Sequence, residues 1–163
     1  MAAITEQYIE QNKKLHEIDP KYGTSGHKWA SEVIRLCKKY DTKDVLDYGC
    51  GKGTLAESLP FEIQQYDPAT RPERPVPADI VVCGDVMEHI EPDCLDDVIS
   101  DLDALFKKCL YLVISTRLAQ KTLPDGRNAH LIVESGGWWI KKLPFTFIEK
   151  RNRHDEIILV CQK

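Results

Sequence analysis

The run Val45-Leu46-Asp47-Tyr48-Gly49-Cys50-Gly51-Lys52-Gly53-Thr54-Leu55 constrains this chain more than any other stretch. An apolar strand closed by an acid enters a turn with glycine at three alternate positions and leaves it as a helix. Glycine tolerates positive φ and lets a ligand lie against the backbone, and the first turn of a helix offers unpaired N–H groups to the same place. The layout predicts the floor of a nucleotide site. A second acid, Asp67, followed by Pro68, closes the next apolar stretch, Ile63-Gln64-Gln65-Tyr66. It falls about 20 residues beyond the turn, where a ribose diol is held in such folds.

Strands and helices alternate around this turn. Trp29, Val33, Leu36, Cys37 and Tyr40 repeat along one helix face. Residues 54–59 read as a short helix, and 62–66 and 78–83 as strands. Prolines 68, 72, 75 and 77 exclude a helix or a central strand between those strands. A helix begins at Glu91-Pro92-Asp93, carries Leu95, Val98, Ile99, Leu102, Leu105 and Phe106 on one stripe, and closes at Lys107 and Lys108. Residues 110–115 read as a third buried strand, 116–130 as a polar loop, 136–142 as a short helix or turn, and 145–148 with 157–160 as a hairpin. Residues 3–18 offer only Ile4, Tyr8, Leu15 and Ile18 as anchors, which predicts a loosely attached helix. The expected class is α/β, a mostly parallel sheet with a C-terminal antiparallel hairpin. Its ligands should lie beyond the strand ends, where Asp47, Asp67 and Asp85 fall.

A length of 163 residues fits an N-terminal helix and lid segment at 1–24 and a single domain at 25–163. With 22 basic and 26 acidic residues there is no general electrostatic case for nucleic acid or an acidic membrane. The six cysteines show no CxxC pair or other metal-ligand spacing, so free thiols and no metal are expected. The first 15 residues lack an apolar leader core and no run of 18 apolar residues occurs, which predicts a soluble, cytoplasmic protein.

Three ordered pieces resemble the class I S-adenosylmethionine-dependent methyltransferases. They are Asp47 to Gly53 for the glycine loop, Tyr66-Asp67-Pro68 for the ribose acid, and Asp79 to His89 for the segment often written D-V-L-E-H. The resemblance covers residues 25–115 and implies a Rossmann-like sheet with S-adenosylmethionine as cofactor. It implies cofactor contacts at Asp47, Tyr48, Gly49, Cys50, Gly51 and Gly53, at Asp67 and Pro68, and along a wall of Cys83, Gly84, Asp85 and Val86. Residues 68–77 depart from the pattern. The family usually places a helix, a strand and another helix there, so six strands are implied instead of seven, and the adenine contact is left unassigned. The nicotinamide fingerprint Gly-x-Gly-x-x-Gly would require glycine at 54, where Thr54 stands.

Methyl transfer from a sulfonium is an in-line displacement with a neutral leaving group, so the protein must align the partners and, for a hydroxyl or ammonium acceptor, remove a proton. His89 and His130 are the candidate bases. Against them stand a packing role for His89 and a simple solvated turn for the loop carrying His130. Arg127 and Asn128 are candidate grips on the acceptor. Trp138 could line its pocket or belong to the core. The chain lacks the Pro-Pro-Tyr-type tetrapeptide of amino-methylating DNA enzymes and the Pro-Cys nucleophile of cytosine-C5 enzymes. A small molecule, a sugar or a modified nucleotide is therefore the expected acceptor, although a partner subunit could present a polymer. The alternative is a non-catalytic cofactor-binding module that regulates or scaffolds a partner.

Overall fold

The computed structural model describes residues 3–163. Its strands are β1 (Val45–Tyr48), β2 (Gln64–Tyr66), β3 (Ala78–Gly84), β4 (Phe106–Ser115), β5 (Thr146–Asn152) and β6 (Glu156–Gln162). They form one sheet in the order β2-β1-β3-β4-β6-β5. The first four strands run parallel, β6 lies antiparallel to β4, and β5 antiparallel to β6. This is the expected six-stranded arrangement, with hairpin strands longer than their apolar centres suggested.

The parallel strands are covered on both faces, which explains why they read as nearly unbroken apolar runs. Val45, Ile80 and Val82 face Val33, Leu36 and Cys37 of α2 (Ala30–Lys39) and Leu55 of α3 (Thr54–Glu57). Leu46, Val81 and Cys83 face the opposite layer. There they meet α4 (Leu95–Leu105) through Val98, Leu102 and Leu105, and α5 (Gly136–Lys142) through Trp139. Each such side chain, fully buried, contributes about 1.5–3 kcal/mol.

Two local expectations fail. The helix α4 stops at Leu105, and Phe106 begins β4 with no intervening loop. Lys107 and Lys108 are therefore strand residues, paired with Asp44 at 3.0 Å and Asp79 at 3.3 Å, not the closing turn of a helix. The N-terminal helix α1 (Glu6–Ile18) is firmly docked rather than loosely attached. Tyr8 and Leu15 pack with Leu123. Thr5 caps the helix and binds Glu91 through both its amide, at 3.0 Å, and its hydroxyl, at 2.8 Å.

The proline-rich segment 68–77 forms a strap across the α4 side of the sheet. Arg74 and Asp101 of α4 make a fork-shaped ion pair, and Tyr48 on β1 donates to the same carboxylate at 2.8 Å. Gln64 of β2 accepts from the Val76 amide at 3.2 Å. One α4 carboxylate thus fastens both the strap and the first strand. Among the described residues, no helix is long and apolar enough to cross a membrane.

Asp101→Ala leaves a buried phenol and a guanidinium without their acceptor, so urea unfolding should show a loss of about 2–3 kcal/mol. Asp103→Ala, which removes the exposed pair with Lys163, should change stability by no more than about 0.5 kcal/mol.

Candidate active site

A cavity of about 520 Å³ lies beyond the carboxyl ends of β1 to β4, within the roughly 300–1,000 Å³ typical of small-molecule sites. Gly49, Cys50 and Gly51 form its floor. Asp67 to Ala69 and Gly84 to Val86 form its walls, and Tyr8, Asn12 and Tyr22 its roof. Arg117, Lys121 and His130 stand at its mouth.

The floor is held by backbone contacts that only glycine permits. Gly49 and Gly51 adopt φ of 83° and 53°, and a Cβ on Gly49 would lie 2.2 Å from the Val86 methyl group. A Cβ on Gly51 would lie 2.6 Å from the Gly23 carbonyl oxygen. The Gly49 and Cys50 amides donate to the Tyr66 carbonyl at 2.7 and 3.0 Å, and the Gly51 amide donates to Asp67 Oδ2 at 3.0 Å. From the strap, Thr70 and Arg71 both donate to the Gly51 carbonyl, at 2.8 and 2.9 Å. Lys52 ties the floor to the segment after α1: its amide reaches the Gly23 carbonyl at 2.9 Å, and its ammonium reaches the Asp19 and Tyr22 carbonyls.

The walls are acidic. Asp47 is 3 % exposed and faces the cavity, and its carboxylate makes no hydrogen bond to any described residue. Burial, and then the charge of Asp67, push its pKa up to about 7. Asp85 sits at the tip of β3 with φ of 54°, a left-handed conformation unusual for a non-glycine residue. Its amide is fixed on the Val113 carbonyl at 2.8 Å, and burial followed by Glu156 raises its pKa. An unpaired buried carboxylate beside a second acid favours a ligand carrying positive charge and several N–H donors.

His89 and His130 meet edge to face with ring centroids 4.8 Å apart on the cavity wall. Burial, then His130, lowers the His89 pKa to about 3, and burial also lowers that of His130. Both imidazoles are therefore neutral near pH 7. Tyr8 roofs this corner by donating to the His89 carbonyl.

Several expected contacts lie elsewhere. Arg127 is committed to Asp125 at 2.7 Å, and the Asn128 side chain closes its own loop on both the amide and the carbonyl of Ala119. Trp138 packs edge to face on Trp139, away from the cavity. Cys83 points into the α4 layer, and Gly53 caps α3 outside the wall. Tyr48 lines the cavity, but its hydroxyl is spent on Asp101. Sequence reasoning overlooked Tyr8, Asn12 and Glu88. For α1, the signal was Tyr8 and Leu15, two turns apart on one face.

A family model described as a methyltransferase domain matches residues 21–154. The chain belongs to the methyltransferase domain family. No curated protein matches it. Among solved structures, the fold is shared with a DhpI–SAH complex at 14 % identity and TM-score 0.60, over 96 % of this chain and 97 % of that one. It is also shared with 1,6-didemethyltoxoflavin-N1-methyltransferase of Burkholderia thailandensis at 13 % identity and TM-score 0.62, over 100 % and 92 % of the two chains. Magnesium protoporphyrin IX methyltransferase of Synechocystis PCC 6803 matches at 18 % identity and TM-score 0.53, over 84 % and 83 %. S-adenosylmethionine is accordingly the cofactor this methyltransferase domain has to accommodate. The acidic walls, the partnerless Asp47 and the bare glycine floor fit its ammonium, sulfonium and nucleoside.

The Asp47 environment has a stability signature. A folded-state pKa of about 7, against about 3.9 when unfolded, means that the native state binds the extra proton between those values. The contribution of Asp47 to stability should thus fall as pH rises from about 4 to about 7 and stay low above that. Asp47→Asn removes this cost. Its unfolding free energy relative to wild type should be near its lowest at pH 4 and climb to a plateau above pH 7; a flat difference would contradict the assignment.

Proposed function

We propose that this chain is an S-adenosylmethionine-dependent methyltransferase acting on a small molecule, a sugar or a modified nucleotide. The observation that carries the reading is the Asp47 carboxylate, buried, unpartnered and open to the cavity beside a glycine floor. The bound cofactor supplies an electrophilic methyl group whose leaving sulfur departs uncharged.

Each remaining task falls to residues of the chain. Asp47 receives the ammonium end. Asp67, oriented by the amides of Gly51 and Ala69, offers its remaining lone pairs to the ribose diol. Pro68 and Ala69 on one side and Gly84 to Val86 on the other set the width of the slot. Tyr8 and Tyr22 exclude water from above. Burial raises both phenol pKa values, so they stay neutral at any working pH. Of the 1–24 segment, residues 3–24 act as the lid over the body at 25–163, and residues 1 and 2 lie outside the described residues.

The acceptor enters between α1 and the 116–130 loop, where His89 and His130 offer neutral imidazoles. A cavity of this size, already roofed, suits a compact acceptor better than a polymer strand. Two of the similar folds carry names that specify small acceptors, a didemethyltoxoflavin and a magnesium porphyrin. The six thiols are free, which fits a reducing compartment such as the cytoplasm.

Calorimetry with S-adenosylmethionine and with its demethylated product should show binding that Asp67→Ala weakens at least tenfold, about 1.4 kcal/mol. Labelled methyl transfer into a small-molecule fraction of cell extract should accompany it. Binding without transfer to any fraction would favour a regulatory cofactor-binding module, and no binding would overturn the reading.

A further inference from the structure

A buried carboxylate with an unused oxygen is costly unless something else occupies it. Glu88 is such a group. It is 0 % exposed, its Oε1 accepts from the Ser115 amide at 3.1 Å, and its Oε2 has no partner among the described residues.

Two imidazoles flank it, and both are oriented in the same way. His89 Nδ1 lies 2.7 Å from the Ala129 carbonyl, and His130 Nδ1 lies 2.6 Å from the Arg117 carbonyl. A carbonyl only accepts, so Nδ1 carries the proton in each ring and Nε2 keeps a free lone pair. Metal-binding histidines are held by the same kind of backbone bond, which fixes the tautomer and the ring angle. One ligand atom from each of Glu88, His89 and His130 lies within 4.8 Å of the other two. The scaffold beneath them is firm: the Glu88 carbonyl accepts from the Ile132 amide at 3.0 Å, and the His89 amide donates to the Val86 carbonyl at 2.9 Å.

We propose that Glu88, His89 and His130 bind one divalent transition-metal cation at the acceptor end of the cavity. Two imidazole nitrogens and one carboxylate suit zinc, manganese, iron(II) or cobalt, whereas magnesium and calcium prefer all-oxygen sets. Bonds of roughly 2.0–2.2 Å require small rotations that draw the three side chains inward around the ion. Three protein ligands leave coordination positions open, as in catalytic sites. Neighbouring Asp85 and Glu156 add negative charge that a cation would neutralise.

The role of the ion rests on the methyltransferase reading: it supplies Lewis acidity toward an acceptor hydroxyl. The hydroxyl proton passes to water at the mouth, and an oxygen lone pair forms the new bond to the methyl carbon. The carbon–sulfur pair returns to sulfur, leaving a neutral thioether. The acceptor class is thereby narrowed to compounds methylated on oxygen.

The test uses the whole chain, freed of metal with a chelator and titrated with Co²⁺ by visible absorption and with Zn²⁺ and Mn²⁺ by calorimetry. One ion per chain is expected, with affinity falling at least tenfold in Glu88→Gln and in His130→Ala. His130 is half-buried at the mouth, so its variant keeps the fold even where the Glu88 variant does not. Absence of ion binding by the wild type, or equal binding by His130→Ala, overturns the site. Cofactor binding measured on the same samples separates the two readings. Cofactor bound without any ion removes the metal site and leaves the methyltransferase reading, and an ion bound without cofactor does the reverse.

Discussion

Gly51 is the point where four parts of the chain meet with little but backbone between them. The segment after α1 reaches it through Gly23, Asp67 through its amide, and the strap through its carbonyl; β1 leads into it. A side chain here would have to displace a carbonyl oxygen 2.6 Å from its Cβ, and no rotamer could relieve that contact. The positions of Asp67, Lys52 and the segment after α1 all follow from this contact. It makes the cavity a property of the fold rather than of a few side chains.

The same cavity is held in electrostatic tension. Asp47, Asp85 and Glu88 each have their pKa pushed up, by burial first and then by a neighbouring acid: Asp67 for Asp47, Glu156 for Asp85 and Asp85 for Glu88. Such an arrangement lowers the stability of the empty protein and is relieved by cationic ligands, a pattern that marks functional sites rather than structural ion pairs. The surface pairs elsewhere, such as Arg35 with Glu149, are partly solvated and carry no comparable tension.

Most of the sheet was legible because its signals are local. An apolar run, an acid and alternate glycines are contiguous in the chain, and so is the stripe of α4. The boundary between α4 and β4 was not legible, since Phe106 fits the helix stripe equally well and only its pairing with Ala78 places it in a strand. The docking of α1 was underestimated because the helix has a thin apolar face and is anchored largely by polar contacts, such as Thr5 with Glu91 and Tyr8 with the His89 carbonyl. Arg127 and Asn128 had suitable chemistry in a suitable loop, but their side chains are used to fold it, and Trp138 on α5 packs against Trp139 instead. The Glu88–His130 proximity depends on the 116–130 loop folding back over the sheet, and no residue spacing encodes that.

The strap has a thermodynamic meaning for so short a domain. A crossover from β2 to β3 would ordinarily be stabilised by the packing of its own helices, and here no helix covers that step. Prolines 68, 72, 75 and 77 have their φ angles fixed before folding begins, so the denatured chain has fewer conformations to surrender in this region. What the segment lacks in buried contacts is offset by the narrower ensemble from which it starts. A glycine–serine linker of equal length could span the same distance, but ordering it would carry a larger entropic cost.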